Sequence, residues 1–332
     1  KRNFSIKNIL YEKYNKYENH QSNKYFIISS LFFFLLIVFE FLSLNLFNYR
    51  LDTFHDGDFL TPAYNYLSTN KFWISSYTVH GGADIFYPVI MWKLLGLNTI
   101  GAARYSFYFL IFVLKLLSII FSYQLIKNLY LKNSTKLFFF IVLTSILISM
   151  SSYTVTVNYS YFSYRDIYIL LFLIFFIQLF INDSFKLPLL ISISLIATIS
   201  LLFHIDTGFY TNFILLFYVF YLFILKKYKE VFIIFLSLVA FWFLIIYFIG
   251  FEEIKAFFDH TISMILSLDL MHGLKHPTPF FINESEYGTR ATRGILLQLT
   301  AGFFVINYLF LNKKKISNNK KIFFVFLYLV SF

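Results

Sequence analysis

The feature that most constrains this chain is a set of continuous apolar runs, each long enough to cross a bilayer. Runs such as 25–47, 105–126, 187–203 and 231–250 fall in the ~17–25-residue range that a helix needs to span hydrocarbon. They are unbroken rather than alternating, which excludes a membrane β-barrel and predicts an all-α, polytopic membrane protein. Nine apolar segments are expected: about 25–47, 104–126, 136–156, 167–181, 187–203, 212–225, 231–250, 294–311 and 322 onward. The chain opens on Lys-Arg and stops inside "KIFFVFLYLVSF", so it reads as a piece of a longer protein. A polar, Lys-rich segment, residues 1–24, precedes the first run. That run is expected to be a span, being too long for the h-region of a cleavable signal.

The connectors between runs alternate in charge. One set ("KNLYLKNSTK", "NDSFK", "KKYKE", "NKKKISNNKK" and the N-terminal segment) holds 18 of the 28 Lys and Arg residues. The opposite set holds nine, yet carries 12 of the 17 acids and six of the seven histidines. The positive-inside rule then places the N-terminus in the cytoplasm and the acid-rich connectors on the far side of the membrane. The net charge of +11 is thereby explained as topology rather than nucleic-acid binding. With no cysteine, disulfides and thiolate chemistry are excluded. Two charges, Glu40 and Lys115, fall inside spans at roughly 12–15 Å depth, and are expected to pair because an unpaired charge there is costly.

Three outer connectors bring acids to a span edge together with His or Arg. The stretch "FHDGDFLTPA" supplies His55, Asp56 and Asp58, and opens a long outer segment, 48–103, with amphipathic pieces expected to lie in the interface. Asp56-Gly57-Asp58 is a D-x-D pattern; with Asp166 it is a candidate site for Mg²⁺ or Mn²⁺, which favour hard oxygen ligands. Alone, so short a pattern reads as solvated loop acids. "YSYFSYRDIYILL" adds Arg165 and Asp166, and "LLFHIDTGFYTNF" adds His204 and Asp206, with Gly208 allowing a close turn. The second long outer segment, 251–293, begins as an amphipathic helix and ends with Arg290 and Arg293, candidate anion ligands at the start of a span. Such a site suits a reactant anchored in lipid with a phosphate at the interface.

This pattern resembles the GT-C superfamily of bacterial integral-membrane glycosyltransferases, which use polyprenyl-phosphate sugars. The resemblance covers about residues 25–210, through the acid just after the first span, "HDGDFLTPAYNYLSTNKFWISSYTVHGGADIFYPVIMWKLLG", Arg165-Asp166 and "HIDTGFY". It implies sugar transfer to an envelope glycan or lipid acceptor by inverting displacement at the extracytoplasmic face of the inner membrane. Asp56 or Asp58 would be the general base, Asp166 a further catalytic acid. Arg165, His204, Arg290 or Arg293 would stabilise the leaving phosphate, with Asp206 beside them. The rival readings are an O-antigen polymerase or ligase, which typically relies on arginines and a late loop, and a lipid-linked-glycan flippase, which should break its spans at mid-membrane.

The absence of native cysteine makes orientation directly readable. In spheroplasts, a membrane-impermeant maleimide is expected to label a Lys71→Cys variant and spare Lys229→Cys; the reverse pattern would invert the topology.

Overall fold

The computed structural model describes residues 6–44, 53–78, 80–129, 131–151, 164–181, 186–272, 286–311 and 321. Among them the chain is helical, with no strand. Eleven α-helices follow in order: α1 (Ile6–Leu42), α2 (Thr53–Thr69), α3 (Ala83–Leu95), α4 (Ile100–Lys127), α5 (Asn133–Met150), α6 (Ile167–Ile181), α7 (Lys186–Phe203), α8 (Ile205–Ile224), α9 (Tyr228–Ile249), α10 (Phe251–His272) and α11 (Glu286–Leu311).

Six helical stretches among the described residues are long and apolar enough to cross a membrane: Asn23–Leu42, Ile100–Lys127, Asn133–Met150, Lys186–Phe203, Ile205–Ile224 and Tyr228–Ile249. Nine were expected. The segment at 167–181 is helical but only 15 residues long, and the apolar part of α11 is Ile295–Tyr308. The segment from 322 onward lies outside the described residues. The polar N-terminal segment does not form a separate element from residue 6 onward, but continues into the first span as one helix.

The helices are apolar outside as well as inside, unlike those of a water-soluble bundle. Large apolar side chains face outward along α9, including Phe232, Phe235, Phe243, Tyr247 and Phe248. Small polar residues are buried among the apolar ones: Ser118, Ser122, Thr144, Ser194, Thr198, Ser200 and Thr211. Several satisfy themselves by donating one turn back, as Ser118 Oγ does to the Leu114 carbonyl (2.9 Å) and Ser194 Oγ to Leu190 (2.9 Å). In hydrocarbon, outward apolar surface costs nothing, and small residues inside let helices approach closely. This is a membrane-embedded helical protein.

Close approach is most pronounced between α7 and α8, which form a hairpin whose only non-helical residue is His204. The connector was expected to extend to about residue 211; instead α8 begins at Ile205. Ser200 and Thr211 hydroxyls share a hydrogen bond (2.5 Å), and Asn212 Nδ2 donates to the Ala197 carbonyl (2.8 Å) across the hairpin. A Cβ at Gly208 would collide with the Leu201 backbone, so the glycine is required by helix contact rather than by a turn.

Five buried clusters lie along the bundle among the described residues, the smallest joining Leu114 of α4 to Ile167 and Leu170 of α6. Phe172, Phe176, Ile193, Ala197, Leu215 and Tyr218 join α6, α7 and α8, and Phe26, Phe33, Ile37, Ile119 and Phe140 join α1, α4 and α5. At one end, Phe59, Ile85, Val89, Trp92, Phe107 and Ile111 unite α2, α3 and α4, and Trp73 packs with Leu202, Ile254 and Phe257.

Lys115, 1% exposed, donates to both oxygens of Glu40 at 2.6 and 2.7 Å, the pairing expected from the sequence. Lys115→Met should lower stability by about 2–3 kcal/mol, the cost of an uncompensated charge within a span. Adding Glu40→Gln should restore much of that loss in a denaturation cycle. A single variant as stable as the parent would remove the pair from the account.

Candidate functional site

The acid-bearing end of the bundle is organised by two carboxylate–guanidinium pairs with an aromatic block between them. Asp56 lies in the first turn of α2, where an acid suits the helix dipole. Arg104 lies in the second turn of α4, where a cation opposes it. The mismatch is offset by contact: Arg104 Nε donates to Asp56 Oδ1 at 2.9 Å, and Nη2 donates to Oδ2. Both residues are buried, at 1% and 7% exposure. A bidentate pair is the arrangement that best offsets the desolvation of two charges.

The second pair is more open. Arg165 Nη1 donates to Asp206 Oδ2 at 3.0 Å; the guanidinium side chain is 12% exposed and the carboxylate 51%. Arg165 and Asp166 sit in a 3-10 turn, Tyr164–Asp166, that leads into α6. Asp206, in the first turn of α8, also accepts from Thr207 N (2.8 Å).

Aromatic rings connect the two pairs. Phe59, one turn after Asp56, packs on Phe107 (4.8 Å between centroids), and Phe107 packs on Tyr164 (4.5 Å). Tyr164, Tyr168 and Tyr87 surround His204 at 5.5, 5.8 and 5.9 Å, and the Tyr87 and Tyr168 hydroxyls share a hydrogen bond at 2.6 Å. His204 is fully buried, and neither of its ring nitrogens has a hydrogen-bond partner among the described residues. Burial pushes its imidazole well below the ordinary range, and the nearby Arg165 and His80 push the same way, so it is neutral at pH 7. Burial also raises the Tyr87 phenol well above its usual range.

The segment between α2 and α3 is docked on the α7–α8 corner. Gly82 N donates to the Leu202 carbonyl (2.8 Å), and Ile205 N donates to the His80 carbonyl (3.0 Å). Gly81 has φ +111°, and a Cβ there would come within 2.9 Å of the Phe203 carbonyl oxygen, so glycine is required on both counts. Asp84, 1% exposed, closes the turn by accepting from His80 N at 3.0 Å. From the other side, the Glu253 carboxylate of α10 accepts from Trp73 N (2.7 Å) and Ile74 N (3.0 Å).

The structure therefore brings Asp56, Arg165, Asp166, His204 and Asp206 to one end of the bundle. The side chains of His55, Asp58, Arg290 and Arg293 lie outside the described set. Arg290 and Arg293 belong to α11, which begins at Glu286. Both precede its apolar part, Ile295–Tyr308. Both Asp56 oxygens accept from a guanidinium whose charge repels a cation, so this carboxylate does not fit Mg²⁺ or Mn²⁺ as it stands. Among the described residues, no group of three or more His, Asp or Glu is disposed to hold a metal.

Sequence reasoning passed over Arg104, His80, Asp84, Tyr87 and Glu253. Arg104 carried a usable signal, a cation in the opening turns of a helix, which calls for a buried partner. Nothing local marks Glu253, whose partners lie 179 and 180 residues away. No family model, curated protein or solved structure matches this chain.

His204 sets a pH dependence. Below about 6.5 the unfolded imidazole takes up a proton that the folded one refuses. Stability is therefore full above that pH and is lost as pH falls toward the folded value. Denaturation midpoints between pH 5 and 8 should show this limb, and His204→Leu should flatten it. An unchanged slope would assign the limb to other groups.

Proposed function

We propose that this chain is a GT-C-like glycosyltransferase of the bacterial inner membrane. It moves a sugar from a polyprenyl-phosphate donor to an envelope glycan or lipid acceptor at the extracytoplasmic face. The observation supporting this reading is that the first, third and fifth connectors meet around one aromatic block, with an ion pair on either side of it. In the proposed topology the N-terminus is cytoplasmic and nine spans alternate. α6 counts as one of them: with the 3-10 turn Tyr164–Asp166 continuing it, it reaches about 27 Å for α-helical rise, close to the hydrocarbon thickness.

The reaction is a single displacement. The acceptor hydroxyl oxygen attacks the anomeric carbon from the face opposite the phosphate. The carbon–oxygen bond to the phosphate breaks, and the lipid phosphate leaves with the electron pair. The hydroxyl proton passes to a carboxylate within about 3 Å. Asp56, Asp58 and Asp166 are the candidate bases. For Asp56 to serve, one of its two bonds from Arg104 must be given up. Arg165 is the group placed for the phosphate: its present partner, Asp206, is exposed and replaceable, so a phosphate can take the carboxylate's place on the same guanidinium. Neutral His204 can donate one N–H to a phosphate oxygen once its surroundings open. Arg290 and Arg293 are further candidates for the same anion.

The test uses the chain in liposomes with a panel of polyprenyl-phosphate sugars. Replacing the true base, by Asp56→Asn, Asp58→Asn or Asp166→Asn, should cut turnover about 10²–10⁴-fold while donor binding persists. Arg165→Ala should weaken donor binding as well. Absence of transfer with every donor would remove the reading, leaving the polymerase, ligase and flippase alternatives.

A further inference from the structure

Beside the buried Asp56 and Arg104 pair, α2, the end of α3 and the start of α4 enclose an open cleft of about 370 Å³. It is lined by Leu60, Thr61, Tyr64, Asn65, Trp92, Asn98, Thr99 and Ile100. Its volume falls within the ~300–1,000 Å³ range of small-molecule sites. Leu60 is one helical turn from Asp56, and Ile100 one turn from Arg104, so the cleft adjoins the candidate site without containing it.

The lining chemistry is selective. No charged side chain contributes, which disfavours a phosphate or a carboxylate. Two carboxamides and two threonine hydroxyls contribute. Asn98 and Thr61 can both donate and accept. Asn65, whose Nδ2 donates to Ser76 Oγ and the Ser75 carbonyl, offers its Oδ1, and Thr99, whose Oγ1 accepts from Ala102 N, offers its O–H. Two aromatic residues are among the lining: Tyr64, 67% exposed, and Trp92, almost wholly buried. Two of the groups are held in place. Trp92 Nε1 donates to the Thr99 carbonyl (2.8 Å), and Asn65 Nδ2 donates to Ser76 Oγ (2.8 Å). A held amide, a second exposed amide and the open tyrosine ring match a neutral ring with an apolar C–H face and a rim of hydroxyls. A hydrocarbon chain would leave the amides unmatched.

We propose that this cleft binds a neutral sugar ring, and that it seats the acceptor glycan; the second clause rests on the transferase reading, the first does not. Tyr64 and Asn98 are exposed, so their truncation leaves the core intact.

The experiment is saturation-transfer difference NMR on the full chain in a detergent without a sugar head group, with a panel of neutral mono- and disaccharides and their alkyl glycosides. Ring protons of at least one sugar should receive saturation. Tyr64→Ala and Asn98→Ala should each reduce the effect at least fivefold, while Lys229→Ala, at an exposed position on α9, retains it. Saturation confined to the alkyl chains, no signal from any sugar, or signals unaltered in both variants would overturn the proposal. Sugar binding lost in the variants of a chain that transfers nothing would uphold the cleft and remove the transferase reading. Transfer with an unchanged acceptor KM in Tyr64→Ala and Asn98→Ala would do the opposite.

Discussion

Two backbone hydrogen bonds, Gly82 N to the Leu202 carbonyl and Ile205 N to the His80 carbonyl, tie the first long connector to the corner between α7 and α8. Much of the acid-bearing end depends on that junction. It places Tyr87 against His204, and with Tyr87 comes α3, whose far end packs Trp92 beside the first turn of α4. The junction is possible because Gly81 and Gly82 bring no side chain to a surface made of carbonyl oxygens. Backbone groups near a membrane have few alternatives to internal partners, so such a contact is held strongly once made.

The two ion pairs differ in what their burial permits. Asp56 and Arg104 are both enclosed, and separating them leaves two charges without solvent; this pair behaves as part of the frame. Arg165 and Asp206 lie at the edge, where the carboxylate is half in solvent and the exchange of one anion for another costs little. In the proposed reaction this division assigns the incoming phosphate to the Arg165 side and the neutral partner to the cleft beside Asp56. His204 stands between them, neutral and shielded by three tyrosines.

Much of this organisation was legible in the sequence because it follows from composition and periodicity. The helical class, six of the spans, helices within both long connectors, and the Glu40 and Lys115 pair all derive from runs of apolar residues and the cost of charge inside them. Less legible were lengths decided by packing. The α7–α8 connector shrank to His204 because Ser200, Gly208 and Thr211 let two helices touch up to the corner. The short segment at 167–181 was legible with its bounds, which are those of α6.

The sequence by itself determined which solvent this protein is built for and which residue types gather in its acid-rich connectors. Those are local properties, set by hydropathy and by the energy of placing charge in hydrocarbon. Only the tertiary structure decided that Asp56 faces Arg104 across 48 residues, that Arg165 meets Asp206, and that Glu253 holds the Trp73 and Ile74 amides. A charge announces that it needs a partner, but its identity depends on how helices far apart in the chain come to lie side by side.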